Sequence, residues 1–384
     1  MTLTLPPLRD RLIRWANQNS GSDHHAGLAA MLDLLEADFA KLPGVKIERV
    51  ACANTTAQAL RVTFQPQAPR QVFLCGHYDT VYGARNPFQR CELIDERTLR
   101  GPGVTDMKGG IVVMLAALQL YLAASPSAAL GFEVLLTPDE ETGSFGSAGL
   151  FAAAARRHQL GLVFEPARPN GSLVQSRKGT GNFAATCHGR AGHAAKYPSD
   201  ARNAIAALAE FLVAVHRLPS EMPGVLLNIG LVRGGSEATN VVPDFAQALL
   251  DIRITHVADR EPVLARLHEL AGVVSAREGF RLEVTGSFNR PPKECGPVEE
   301  AAFAVYQRCA SELGLPPFSW IHAGGGSDGN LLSAAGLPNL DGLGVIGEHL
   351  HSDRECCVLP SLVERAELCA RFLTQLATGA GVLK

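Results

Sequence analysis

Thr137-Pro138-Asp139-Glu140-Glu141-Thr142-Gly143-Ser144 follows an apolar strand, Phe132 to Leu136, so a buried run delivers three consecutive carboxylates to one place. Like charges in a row repel, and burial raises that cost unless water or a cation neutralises them. Taken alone, the stretch reads as an acidic turn capping the next helix, with Gly143 and Ser144 as turn residues. The surrounding acids and histidines decide between the two readings.

Upstream, the β-rich runs Leu60 to Phe64 and Gln71 to Cys75 precede Gly76-His77-Tyr78-Asp79-Thr80. On an extended backbone His77 and Asp79 point to the same side, where a carboxylate can orient an imidazole or join it in a metal shell. Downstream, Leu160 to Phe164 ends in Glu165-Pro166. His77 with Asp79, Glu140 with Glu141, and Glu165 therefore all follow apolar strands, and in an open α/β sheet such positions share one edge. Between them lies Arg100-Gly101-Pro102-Gly103-Val104-Thr105-Asp106-Met107-Lys108-Gly109-Gly110, a glycine-rich loop opening the apolar helix 111–124. It lacks the Gly-Lys-Ser/Thr of a phosphate loop, which leaves Asp106 as its informative residue.

Composition narrows the class. The 384 residues are 46% hydrophobic and 19% charged with net charge -3, enough for a large core and for two domains. No run of lysine or arginine exceeds two residues, so neither nucleic acid nor another polyanion is an expected partner. Nine scattered cysteines without a CxxC pair fit reduced core thiols, and the N-terminus has no signal-peptide core, so a cytoplasmic enzyme is expected. The longest apolar run, Ile111 to Ala124, is interrupted by Gln119 and falls short of the roughly 18–20 residues of a membrane span.

Helical periodicity covers residues 8–42, with Gly44 ending it. Residues 179–290 read strand, helix, strand, strand, helix, strand: a complete β-α-β-β-α-β ferredoxin-like unit inserted into a first domain made of residues 1–178 and 291–384. From Pro297 the chain returns to helix, then to Gly324-Gly325-Gly326-Ser327-Asp328, the loop Gly347 to Glu355, and a closing helix from Pro360.

Gly76-His77-x-Asp79, Gly101-Pro102-Gly103-x-x-Asp106-x-Lys108-Gly109-Gly110, Asp139-Glu140-Glu141-x-Gly143-Ser144, Glu165-Pro166, Gly325-Gly326-Ser327-Asp328 and His351-Ser352-Asp353 occur in one order across nearly the whole chain. In this the chain resembles the di-zinc family of aminoacylases, acetylornithine deacetylases and glutamate carboxypeptidases, the last most of all. The resemblance implies a mixed-sheet α/β zinc-peptidase domain with an inserted ferredoxin-like lid and dimerisation domain. It implies two Zn²⁺ per subunit, with Co²⁺ or Mn²⁺ as substitutes, held by His77 and Glu165 on one side, Glu141 and His351 on the other, and Asp106 bridging. Nitrogen and carboxylate donors suit Zn²⁺, and two neighbouring ions can share a hydroxide and polarise a carbonyl. Glu140 is then the general base and Asp79 the residue orienting His77.

By the same resemblance, the Asp106-Met107 bond is a non-proline cis peptide, His193 donates to the oxyanion from the neighbouring subunit of a homodimer, and Asn240, Arg253 and Gly326 contact substrate. An arginine offers a planar fork for a free carboxylate, although Arg253 paired with Asp251 is also a plain structural reading. The implied reaction is hydrolysis of an amide or peptide bond next to a free carboxylate, in an N-acyl amino acid or short peptide. His349, two residues before His351, is read as a surface or pocket-lining residue. Two other readings stay open. Gly325-Gly326-Ser327-Asp328-Gly329 fits a nucleophile elbow, with Asp341 and His351 downstream for a serine hydrolase. A metal-free binding or scaffold relative is the third.

Overall fold

The computed structural model describes residues 2–124, 128–197, 199–379 and 382–383. Arg70–His77 is apolar on both faces and buried from Val72 to His77, which requires the centre of a sheet covered on both sides. It pairs in parallel with Leu130–Thr137 and with Leu160–Val163. The full sheet has eight strands in the order Lys46–Ala51, Gln58–Phe64, Leu130–Thr137, Arg70–His77, Leu160–Val163, Asn339–Asp341, Leu173–Arg177, Trp320–Ala323. Side chains alternate between two cores. Val72 and Leu74 join the helices Leu5–Ala16, His25–Phe39, Lys108–Ala123 and Pro360–Ala377, whereas Phe73 and Cys75 join Phe151, Ala154 and Leu332 on the other face.

Register converts this order into a site. His77 lies opposite Thr137, and Cys75 opposite Val163, so His77, Glu140, Glu141 and Glu165 emerge at one carboxyl-terminal edge. Lys108–Ala123 is apolar all round and buried from Lys108 to Leu118. Its entry is pressed against the strand end: a Cβ on Gly110 would sit 2.0 Å from the Phe164 carbonyl oxygen, so only glycine lets the Asp106 loop come this close to Glu165. The peptide bond Asp106-Met107 is cis.

One stretch departs from the sequence reading. The periodic run 8–42 is two helices, because residues 17–24 leave the helical path and Gly21 bridges to Thr80 beside the site. Ahead of Gly325, Trp320–Ala323 forms the last strand of that order, beside Leu173–Arg177.

A second unit comprises Arg177–Pro292 together with Gly324–Gly326, and a first unit the rest, Met1–Ser176, Lys293–Ala323 and Ser327–Lys384. The second unit is a four-stranded antiparallel sheet, Leu226–Gly234, Phe245–Ile254, Gly179–His188, Arg281–Arg290 in that order, with helices Ala204–Val215 and Arg260–Ser275. Its inward row Phe183, Ala185, Cys187 and Ala246, Ala248, Leu250, Ile252 packs with Leu208, Phe211, Val263 and Leu267. The three glycines belong to it because two arginines hold them: Arg253 Nη1 donates to the Gly324 oxygen at 2.7 Å and Arg177 Nη1 to the Gly325 oxygen at 3.2 Å. No helix among the described residues is long and apolar enough to cross a membrane.

Candidate metal centre

Asp106 is the hub. Its Oδ1 lies 3.2 Å from His77 Nε2 and its Oδ2 3.2 Å from His351 Nε2, so one carboxylate faces two imidazoles with different oxygens. Glu165 Oε1 is 3.8 Å from His77 Nε2, and Glu141 Oε2 is 3.3 Å from His351 Nε2. Donor atoms of His77, Asp106 and Glu141 all lie within 4.8 Å of one another. The five residues come from three strand ends and two loops and are brought together by the fold.

The electrostatics ask for a cation. Burial works against charge on His77, yet hydrogen bonds to Asp106 and Asp79 raise its basicity well above the ordinary histidine value. His351 is pushed up to about 11 by its contacts with Asp106 and Glu141. Burial pushes the Glu141 carboxyl up to about 7, while Asp106, although buried, is held well below the carboxylate range by His351 and His77. Glu141 Oε1 is buried without a hydrogen-bond partner, an arrangement that costs about 1–3 kcal/mol unless something else satisfies it. An orphaned carboxylate oxygen among two imidazole nitrogens and three carboxylates is the donor chemistry of a divalent transition-metal pair, and the residues fit one.

Asp79 ties the strand ends together. Wholly buried, it accepts the Glu140 N–H on Oδ1 and the Glu141 N–H and the Ser22 hydroxyl on Oδ2, while His77 Nδ1 faces its carbonyl oxygen at 3.1 Å. With Nδ1 so occupied, Nε2 is the nitrogen left for a metal. The acidic triplet divides its work. Asp139 takes the Gly146 and Ser147 N–H groups and the Ser147 hydroxyl, as an acidic turn residue does, whereas Glu140 and Glu141 turn to the site.

Sequence reasoning missed Ser22 and the pair Tyr82 and Glu355, whose hydrogen bonds brace the site. Nothing local marks them, since their partners are about 57 and 250 residues away in the chain. His349 is exposed, and its Nε2 lies 3.7 Å from Glu348 Oε2.

The serine-nucleophile reading fails on geometry. Ser327 is wholly buried, its hydroxyl donates to Asp341 Oδ2 at 2.9 Å, and it accepts the Gly329 N–H at 3.0 Å as the N-cap of helix Asp328–Ala334. His351 spends its Nε2 on Asp106 and Glu141 instead.

Residues 73–375 match peptidase family M20/M25/M40. The chain belongs to this family. It is 26% identical to carboxypeptidase G2 of Pseudomonas sp. over 97% of this chain and 90% of that protein. It is 30% identical to a succinyl-diaminopimelate desuccinylase of Paracidovorax citrulli over 72% of each. Among solved structures, aminopeptidase PepT from Bacillus cereus superposes with a TM-score of 0.80 at 21% identity, covering 98% of this chain and 99% of that one. Bacillus subtilis YXEP, described as a dinuclear metal-binding peptidase of family M20, gives 0.71 at 14% identity, over 97% and 98%. The chain is thus a metal-dependent hydrolase of amide bonds, built as the family's mixed-sheet domain with an inserted ferredoxin-like unit.

In the second unit, His193 and Asn240 are neighbours. Gly192–His193 pairs with Val241–Val242, and the Ala194 N–H donates to the Asn240 oxygen at 2.9 Å. Both side chains are exposed. Arg253 holds Asp251 through Nε and Nη2 at 3.2 Å each, as the structural reading of that pair requires, besides its bond to Gly324. Gly326 stands beside those held carbonyls.

Proposed function

We propose that this protein hydrolyses the amide bond of a small N-acyl amino acid or short peptide that carries a free carboxylate, using two Zn²⁺ per subunit. The observation that carries the reading is Asp106, whose two oxygens each face a different imidazole at 3.2 Å beside the orphaned Glu141 Oε1. His77 and Glu165 would hold one ion, Glu141 and His351 the other, and Asp106 both. Two bound divalent ions supply Lewis acidity to the scissile carbonyl and make water acidic enough to lose a proton near neutral pH.

The chain's own residues do the rest. Glu140 is fixed through its N–H on Asp79 and need not ligate, so it is the group that takes a proton from the attacking water and returns it to the leaving nitrogen. His193 Nδ1 accepts the Ala195 N–H at 3.2 Å, which leaves the neutral ring's hydrogen on Nε2, a donor for a developing oxyanion. Arg253 and Asn240 supply polar groups for the substrate carboxylate, with the Gly326 backbone beside them. A homodimer is supported by the edge strand Leu226–Gly234, which exposes Leu226, Leu231 and Val232.

The test is a panel of N-acyl amino acids and dipeptides, assayed before and after dialysis against a chelator and with a fluorophosphonate present. Hydrolysis should vanish on chelation, return with Zn²⁺, and survive the fluorophosphonate. Full activity after chelation would sink the metal reading, and equal turnover of the carboxyl-amidated substrates would sink the carboxylate requirement.

A further inference from the structure

The centre stands on two loops from distant parts of the chain: residues 103–106, which end in Asp106, and residues 349–355, which carry His351. The second is an unfavourable path for its sequence. His349 and His351 both adopt left-handed backbone, with φ of 59° and 60°, where non-glycine residues persist only if the surroundings enforce it. One buried side chain is bonded to the first loop and covalently part of the second. Glu355, wholly buried, accepts the N–H groups of Thr105 at 2.8 Å and Asp106 at 3.0 Å on Oε1, and on Oε2 the Tyr82 hydroxyl at 2.7 Å and the Gly103 N–H at 3.3 Å. Four donors meet a carboxylate that has only acceptors to offer, so the match is complete. The same Tyr82 hydroxyl lies 2.8 Å from the Ser352 oxygen, one residue beyond His351, so its single hydrogen is shared between that carbonyl and Glu355. Within the loop, the Ser352 hydroxyl donates to the His349 oxygen at 2.7 Å.

We infer that Glu355, with Tyr82, is a positioning pair that sets the separation of Asp106 and His351 and thereby the affinity of the metal ion held by Glu141 and His351. Glu355 cannot reach the reacting atoms, because its carboxylate is spent on the backbone behind Asp106. It acts in two ways: it fixes the peptide from which Asp106 projects, and it brings a further negative charge next to a centre that binds cations. An acid at this position is therefore not equivalent to its amide, even where the fold survives the change.

The inference rests on the proposed metal centre, and the experiment separates the two. Metal-free wild type, Glu355→Gln and Tyr82→Phe are titrated with Zn²⁺ against a chromophoric chelator at a temperature where circular dichroism shows each folded. Wild type should bind two ions. Glu355→Gln keeps the shape but replaces an acceptor by a donor facing the Gly103 N–H, and should weaken the second ion about 10- to 100-fold, the usual cost of losing such a supporting group. Excess Zn²⁺ should then restore turnover. Tyr82→Phe removes one donor only and should weaken the same ion about fivefold. A purely structural role would lower the melting temperature of the metal-free form and leave the binding constants alone, so wild-type constants in a folded Glu355→Gln protein overturn the inference. Should that variant not fold, an unchanged constant in Tyr82→Phe overturns it equally. Wild type that binds no ion refutes the metal centre itself, and this inference with it.

Discussion

Except for the exposed His351, the proposed functional groups of the two units are held in opposite ways. In the first, His77, Asp79 and Asp106 are 1%, 0% and 8% exposed and each makes contacts that leave little freedom. In the second, His193 and Asn240 are exposed and Arg253 is partly so, and what holds them is a short backbone pairing with its flanking hydrogen bonds, one ion pair and the Arg253 bond to Gly324. On the proposed reading, folding assembles the metal centre in advance, at a cost in buried charge that a cation would offset. On the same reading, the second unit's groups are surface residues that would gain further partners from substrate or another copy of the chain. Substitutions in the first unit should thus change metal content or chemistry outright, and those in the second should leave metal and fold intact.

The largest effect expected is at the centre. Glu140→Gln should lower kcat by about 10²–10⁴-fold, the usual weight of a positioned acid–base group, while still binding two ions. Asp106→Asn should lose the ions as well as turnover. The pair of variants divides ligand from base, and a Glu140→Gln enzyme retaining more than about a tenth of wild-type kcat would remove Glu140 from that role.

Why the candidate residues of the centre stand out in the sequence and their supporting residues do not follows from locality. His77, Glu141 and Glu165 each end or follow an apolar strand buried on both faces, so a continuous apolar run with a charged end marks them as candidates within a few residues. The inserted unit is legible for the same reason, since its strands alternate cleanly, as Phe183, Ala185 and Cys187 do. Asp79 shows only its spacing from His77; that it also takes the N–H groups of Glu140 and Glu141 depends on a neighbouring strand. Ser22, Tyr82 and Glu355 act through partners far off in the chain and carry no periodic signal. Asn339–Asp341 is three residues long, too short for alternation to show, and yet it extends the parallel part of the sheet. The second glycine loop, Gly324–Gly326, looked like part of the first domain because its attachment is made by two arginine side chains.

His193 puts the contrast to its next test. His193→Ala should lower kcat by about 10²–10³-fold if its Nε2–H meets charge only in the transition state, with zinc content and melting temperature unchanged. Mixing inactive Glu140→Gln and His193→Ala proteins under subunit exchange distinguishes the source of the histidine. If it serves the partner's centre, a heterodimer has one site with both defects and one with neither, and activity returns. If it serves its own chain, every site keeps a defect and the mixture stays inactive.

Arg253 should give a smaller effect, confined to binding. Its guanidinium already holds Asp251 and the Gly324 oxygen, so a substrate carboxylate has to share or displace those partners, and the net gain is less than for an unengaged arginine. Arg253→Lys loses the planar fork but keeps the charge, and should raise KM about tenfold for substrates with a free carboxylate, with kcat nearly unchanged. An equal rise for the matching carboxyl amides would show that Arg253 holds the glycine loop and does not touch substrate.

The smallest functional effect belongs to Ser327, which resembles a nucleophile in sequence and behaves as a brace in structure. Its hydroxyl is the N-cap acceptor for Gly329 and the donor to Asp341, and its N–H donates to Asn330 Oδ1 at 2.9 Å, closing both ends of a capping box. Losing an N-cap hydroxyl costs about 1 kcal/mol, and the buried bond to Asp341 adds a comparable amount. Ser327→Ala should therefore melt a few degrees lower. Its kcat with saturating Zn²⁺ should remain within about twofold of wild type, because the hydroxyl neither faces an imidazole nor belongs to the ligand set. Loss of turnover by orders of magnitude in a folded, zinc-loaded Ser327→Ala protein would be the one result here that reverses the assignment of chemistry from the buried centre to this helix start.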